Sequence, residues 1–219
     1  PGPLPEPRGP TGPDDELEST RGRALAELAV DVPHVVFSGI AAAGPRTAPG
    51  KERIEAALHG LVPRVTVLRP VRFLTNYFGV GLPVDGITDG VHRHLFPPDA
   101  VLQVIAPEDI ADFTALALAD PDRFASRTLE LAGDALTPVE AAALIGEATG
   151  VPVRYEQIPT AELAALGPWM LHVQESWQAG NRWHADLEAL RVIHPGLRTL
   201  RDWLAQGAAD RLRTHLSGG

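Results

Sequence analysis

The stretch KERIEAALHGLVPRVTVLRPVRFLTN, residues 51–76, constrains this chain more than any other. Its first part sets Ile54, Ala57 and Leu58 on one face at helical spacing. After a break at 60–63 comes Val65-Thr66-Val67-Leu68, a β-branched apolar run stopped by Arg69-Pro70. A helix feeding a buried strand is the repeating unit of a parallel α/β sheet, whose strands are covered on both faces. Ligands of such sheets sit outside the carboxyl ends of the strands. Residues 69–76 lie at such an end, so chemistry is expected there first.

The rest of the chain reads in the same alternation. Residues 1–13, PGPLPEPRGPTGP, hold too much proline for helix or strand and read as an extended arm or loop. Residues 14–30 read as a helix, with Asp14, Asp15 and Glu16 at its positive end and Leu25, Leu28 and Ala29 as its stripe. Residues 32–39, VPHVVFSG, read as a buried strand, and 41–50 as a loop. Residues 73–96 are irregular and rich in glycine and aromatics. A strand is expected at 102–106, a helix from Pro107 to about Ala119, and a strand at 128–132. Gly133-Asp134 reads as a turn. Thr137-Pro138-Val139-Glu140 combines a capping box with proline at the first helical position, and Gly150 is a left-handed cap. Residues 153–158 read as a strand, 160–183 as mostly helical, and Pro195-Gly196 as a turn in the tail.

With 219 residues the chain is long enough for a substantial core. It has no cysteine, hence no disulfide framework and no thiolate metal site, which fits a reducing, cytoplasmic setting. It shows no charged-then-apolar leader and no apolar run of membrane-spanning length. A net charge of -9 argues against a nucleic-acid partner, because phosphate binding needs a basic face.

LRP-x-x-F-x-x-N after a K-x-x-I-E helix, then PEDIADF, LELAGDALTPVEAA and a closing HPGLRTLRDWLAQ, stand in an order that resembles the NmrA-like family, atypical members of the short-chain dehydrogenase/reductase superfamily. The match runs from about Glu16 onward. The resemblance implies an α/β fold: a Rossmann-like parallel sheet with a small C-terminal α+β substrate-binding region. The expected division is an arm (1–13), a partial NAD(P)-binding domain (14–132), and a substrate-binding region (133–219) interleaved with it. The implied function is an NAD(P)-binding oxidoreductase acting on a small, flat, carbonyl- or quinone-type substrate. The alternative is a degenerate regulator, or a protein binding a small molecule or partner without redox chemistry. A cyclase or isomerase reusing the cleft has no residue in its favour.

The chain departs from that family in one large respect. The opening strand, its G-x-x-G-x-x-G turn and the first βα units are missing from this chain, and Gly79-Val80-Gly81 follows the wrong element to replace them. The turn lays the cofactor's pyrophosphate on a helix N-terminus, so NADP or NAD binding by this chain alone is in question. In the 3-2-1-4-5-6 strand order the fourth strand pairs with the first, so Val35-Val36-Phe37 would be a bare apolar edge. A segment of the protein absent from this sequence, another copy or polypeptide, or the arm at 1–13 would have to cover it.

The resemblance sets Ser38 near a substrate carbonyl and Lys51 on the nicotinamide ribose, and these two are the candidate catalytic groups. The cofactor-facing set is Ser38, Gly39, Lys51, Arg69 and Pro70. Thr47 stands where the superfamily has its catalytic tyrosine, and neither Tyr77 nor Tyr155 has the spacing to replace it. The substrate-facing set is Phe73, Asn76, Tyr77, Phe78 and Trp169, with Trp177 a further aromatic lining or core residue. Asn76 either bonds a ligand carbonyl or caps its loop. His92-x-His94 would put two imidazoles on one strand face, but no third ligand is evident and no metal is expected. Asp109 and Asp112 read as helix-start residues, Asp134 and Glu140 as turn and cap, and His194 as structural.

Overall fold

A computed structural model describes residues 15–41, 48–79 and 84–217. The arm at 1–13, Thr47 and the pair Val80-Gly81 lie outside the described residues. The expected α/β architecture is present. Helix α1 (Asp15–Leu28) leads to strand β1 (Val35–Ser38), helix α2 (Pro49–Leu61) and strand β2 (Val65–Pro70). Strand β3 (Arg72–Phe73) runs into a 3₁₀ turn, Leu74–Phe78. Short strands β4 (Ile87–Thr88) and β5 (Val91–His94) precede β6 (Leu102–Ile105) and helices α3 (Pro107–Ala119) and α4 (Pro121–Phe124). Then come β7 (Thr128–Leu131), β8 (Asp134–Leu136), α5 (Pro138–Thr149) and β9 (Arg154–Gln157). Helices α6 (Thr160–Leu166), α7 (Pro168–Gln178), α8 (Leu187–Ile193), α9 (Leu200–Trp203) and α10 (Ala209–Ser217) finish the chain.

The main sheet has the order β1-β2-β7, all parallel. Val65, Val67 and Leu68 are buried between layers, as the apolar run requires. The strand does not stop at Arg69: Arg69 pairs with Glu130 and Pro70 with Leu131. Proline removes a donor but not an acceptor, and the Pro70 carbonyl still takes the Ala41 N–H at 2.9 Å. β1 is shorter than the expected 32–39, and Val35, Val36 and Phe37 are only half-buried. Among the described residues β1 pairs with β2 alone, so its outer edge is open. Leu25 and Leu28 of α1 are also exposed, at 66% and 81%.

Two smaller sheets carry the remaining strands, β3-β6-β8 and β4-β5-β9. The turn read at Gly133-Asp134 is narrower than expected, because Asp134 already pairs with Val104 of β6. Gly133 is required for a different reason: a Cβ there would lie 2.3 Å from the Arg198 carbonyl oxygen. Helix α3 spans the expected residues, with Pro107 in its first turn. The capping box at α5 is complete, Thr137 accepting from the Glu140 N–H and the Glu140 carboxylate accepting from the Thr137 N–H. Gly150 closes that helix at φ 71°. Thr137→Ala is expected to lower stability by about 1 kcal/mol, read as a shifted urea midpoint with unchanged slope. No helix among the described residues is long and apolar enough to cross a membrane.

Candidate functional site

The carboxyl ends of β1 and β2 form the candidate site. Ser38 is exposed where β1 ends, and Gly39 is buried behind it, its N–H donating to the Leu68 carbonyl at 2.8 Å. A Cβ on Gly39 would meet Glu55 Oε1 at 2.6 Å, so the backbone there runs tight against α2. Glu55 is buried and engaged by Arg69, whose Nε and Nη2 donate to its two oxygens at 3.2 and 2.5 Å. This bidentate pair raises the Arg69 pKa, the hydrogen bond to Glu55 being the main cause. Arg69 is thereby a fixed wall and not a free anion receptor, and Pro70 is buried beside it. Lys51, in the first turn of α2, donates to Glu18 of α1 at 2.6 Å with both side chains about one-third exposed. A cation in that turn is disfavoured by the helix dipole, and Glu18 compensates.

Beyond β2 the expected substrate-facing residues separate. Phe73 is 39% exposed. Asn76 is half-buried, and its amide donates to Asp85 Oδ2 at 2.8 Å. Tyr77 is buried outright, at 1% exposure. Phe78 turns toward the C-terminal helices, its ring edge-on to Trp203 and His215. Trp169 is half-buried against the apolar cluster of α6 and α7, and its buried Nε1 has no partner. Ser38, Gly39, Arg69 and Pro70 thus stand at the ends of two neighbouring strands, with Phe73 and Asn76 following, while Lys51 lies in the first turn of α2 against α1. Tyr77, Phe78 and Trp169 belong to packed layers behind them.

Beneath Asn76 lies a buried polar cluster that the sequence reading missed. Arg72 Nε donates to Asp85 Oδ1 at 2.6 Å, and its Nη2 pairs with the same oxygen. His92 Nε2 lies 3.4 Å from that oxygen and His94 Nε2 3.6 Å. The Tyr77 ring sits under the Arg72 guanidinium at 4.4 Å. The alternation of β5 sends both histidines to one buried face, as their spacing required. Asp85 lies within 3.6 Å of both imidazoles. A guanidinium already neutralises that carboxylate, so the group reads as an internal ion pair and not as a metal centre. Asp85 also holds φ 84°, an uncommon backbone for a residue with a side chain.

Burial alone would raise the Asp85 pKa, but Arg72 and the two histidines outweigh it and hold the carboxyl well below the usual range. Burial pushes His94 down to about 3 and lowers His92 as well, so both rings are neutral near neutral pH. His92 Nδ1 and His94 Nδ1 are buried without a hydrogen-bond partner. Neither Arg72 nor Asp85 carries a local sequence signal for this role. The only hints were a charge inside an apolar run and an Asp-Gly pair.

A second polar group ties the tail to α3. Asp109 is fully buried, and Arg198 reaches it with its main-chain N–H at 3.2 Å and with its guanidinium. The same guanidinium donates to Asp112 at 3.0 Å, and His194 Nε2 lies 3.3 Å from Asp112. Asp109, Asp112 and His194 are close enough to share a cation, but Arg198 supplies that charge. Neither aspartate caps the start of α3, contrary to the expectation from sequence; that helix has no side-chain cap, and both carboxylates hold Arg198 of the tail instead.

A scan against family models matches residues 11–193 to the NmrA-like family. Solved structures of similar fold include NmrA, a negative transcriptional regulator, in complex with NAD: 18% identity, TM-score 0.66, over 86% of this chain and 69% of that one. Triphenylmethane reductase of Citrobacter sp. complexed with NADP(H) matches at 17% identity and TM-score 0.68, over 89% of this chain and 73% of that one. An NADPH-dependent quinone oxidoreductase from Escherichia coli matches at 18% identity and TM-score 0.65, over 88% and 79%. At these identities the likeness is one of fold.

Proposed function

Because this chain belongs to the NmrA-like family, we propose that it serves as an NAD(P)H-dependent oxidoreductase on a small, flat, carbonyl- or quinone-type substrate. What supports this reading is the parallel pairing of β1 and β2, with Ser38 and Gly39 ending one strand and the Arg69–Glu55 pair at the end of the other; Lys51, in the first turn of the intervening helix, is proposed to reach the same place. Parallel α/β sheets bind ligands at such ends. The solved relatives named above include complexes with NAD and with NADP(H).

The described residues suit one end of the cofactor. Gly39 lacks a side chain where the Glu55 carboxylate lies, so the backbone beyond Ser38 sits close to the Arg69–Glu55 pair. Lys51 offers an ammonium for ribose hydroxyls, exchanging Glu18 for the ligand. No glycine-rich βα turn for a pyrophosphate stands among the described residues. When bound, a nicotinamide supplies the hydride. The Ser38 hydroxyl donates to the substrate oxygen. Asn76 keeps one amide hydrogen free, since an amide nitrogen has two and Asp85 takes one. Arg69 and Pro70 form the floor, and Phe73 stands at the rim. A cytoplasmic setting belongs to the same reading.

Titration with NADPH, followed by calorimetry, tests it. Lys51→Ala is expected to weaken binding about tenfold or more, the loss of one charged hydrogen bond. Unchanged affinity would remove Lys51 from the site. One observation favours the second reading, a ligand-binding regulator without redox chemistry: Lys51 already has a carboxylate partner. A chain that retains quinones but ignores NADPH would support that alternative. The open β1 edge and the exposed Leu25 and Leu28 also support pairing with another copy or another polypeptide.

A further inference from the structure

We infer that Trp183 is a specificity-determining wall of the substrate cleft, selecting flat substrates of two fused rings over single rings. The inference rests on the cleft reading above and names the residue that shapes it. Residues 181–186 are not the end of a helix, as their apolar neighbours suggest, but a strap without helix or strand, tied to Ala41 beyond β1 and to Gln103 of β6. The helix stops at Gln178, and Gly180, at φ 93°, lets the chain turn away from it.

The strap is fastened at several points. Arg182 donates to the Trp177 carbonyl at 2.6 Å and lies over the Trp177 ring at 3.7 Å. The Gln103 side chain grips Ala185, donating to its carbonyl at 2.8 Å and accepting from its N–H at 2.9 Å. Between these anchors, Trp183 Nε1 donates to the Ala41 carbonyl at 2.8 Å. Ala41 follows Ser38 by three residues, and its own N–H donates to the Pro70 carbonyl. The indole is therefore pinned at the ends of β1 and β2, beside the proposed site.

Two properties of this indole decide what it can select. Its only polar atom is spent on Ala41, so what remains to meet a ligand is an apolar aromatic surface. It also packs against two core clusters at once, that of the main sheet with Leu68 and Val71 and that of α6 and α7 with Phe96 and Trp177. Its ring lies 6.0 Å from Phe96 and 6.3 Å from Trp177. A half-buried ring at the seam between two packed units is where small-molecule clefts form. Fixed on one edge and backed by two aromatics, it cannot swing aside for a bulky, non-planar ligand. A flat ligand long enough to reach from Ser38 to the strap gains stacking; a single ring near Ser38 does not.

The test is calorimetric binding of menadione, a two-ring quinone, and duroquinone, a single-ring one, to the full chain. Trp183→Leu is expected to weaken menadione about tenfold and duroquinone less than about threefold. Trp183→Phe keeps a flat ring and loses only the bond to Ala41, so it is expected to hold menadione within about threefold of the unaltered chain. This variant keeps the inference testable if the leucine variant does not fold, which near-ultraviolet circular dichroism reports. Equal losses in both variants would make Trp183 a structural tie and overturn the inference. Unchanged affinity for both quinones in the variants would overturn it while leaving the cleft reading intact. If the unaltered chain binds neither quinone, the cleft reading falls, and this inference with it.

Discussion

Arg72→Ala is expected to destabilise the chain by about 3–5 kcal/mol, because it leaves the Asp85 carboxylate buried without its counter-charge. Both side chains of this pair are at most 5% exposed, so water offers little to replace the lost partner. The pair need not stabilise the fold relative to two apolar residues; what costs is half of it. Asp85→Asn isolates that effect, since asparagine tolerates the positive φ that Asp85 adopts. The two single variants should each cost several kcal/mol, and Arg72→Ala combined with Asp85→Asn much less than their sum. For a fold stable by only about 5–15 kcal/mol, either single variant approaches unfolding at room temperature. Urea midpoints of the three variants measure this. Additive costs, or single costs below about 1 kcal/mol, would show that water reaches the pair.

Lowering the pH from about 7 to about 5 is expected to remove about 2 kcal/mol of stability through His94 alone. In the folded chain burial holds its pKa near 3, against 6.5 for the free side chain. The unfolded chain therefore binds a proton that the folded chain refuses. Stability from this group is complete above about pH 6.5 and falls steadily as the pH drops toward 3. His92, also lowered, adds in the same direction. Asp85, held low by Arg72, adds a further loss only at stronger acid. The groups facing His94 are Asp85, Arg72 and His92, and the Tyr155 hydroxyl donates to the His94 carbonyl at 3.1 Å. His94→Phe should flatten the slope between pH 6.5 and 5 at small cost, because the His94 ring already stacks on Phe96 at 4.4 Å and 12°. An unaltered slope in that variant would assign the acid sensitivity elsewhere.

Local chemistry made much of this fold legible before any coordinates. The α5 start was readable because Thr137, Pro138 and Glu140 satisfy one another within four residues. The α3 bounds followed from Pro107, which cannot sit inside a helix, and β2 from an unbroken β-branched run. What escaped was everything decided across distance. Arg72 meets Asp85 13 residues on and His92 20 residues on, and no window of the sequence shows that an arginine between valine and phenylalanine faces inward. β5 pairs in parallel with β9, more than sixty residues later, so residues 73–96 looked irregular when read alone. The mostly helical reading of 160–183 holds through α6 and α7, broken only at Gly167 and ending at Gln178, because the apolar spacing continues through the strap while the helix does not. For the candidate site, the sequence named Ser38, Lys51 and Asn76, which stand at the end of β1, in the first turn of α2 and in the 3₁₀ turn after β3. It could not see that Glu18 holds Lys51 and Asp85 holds Asn76.

The clasp between Asp109 and Arg198 has a consequence for how the protein is born. The carboxylate is made 89 residues before the guanidinium that neutralises it. At ribosomal speed that interval lasts roughly 4 to 18 seconds. Until then, docking α3 on the sheet has to bury the Asp109 carboxyl without its partner, which burial disfavours in its charged form, so Phe113 is expected to be covered late on the nascent chain. Slow codons placed between the two residues are expected to lengthen that exposure.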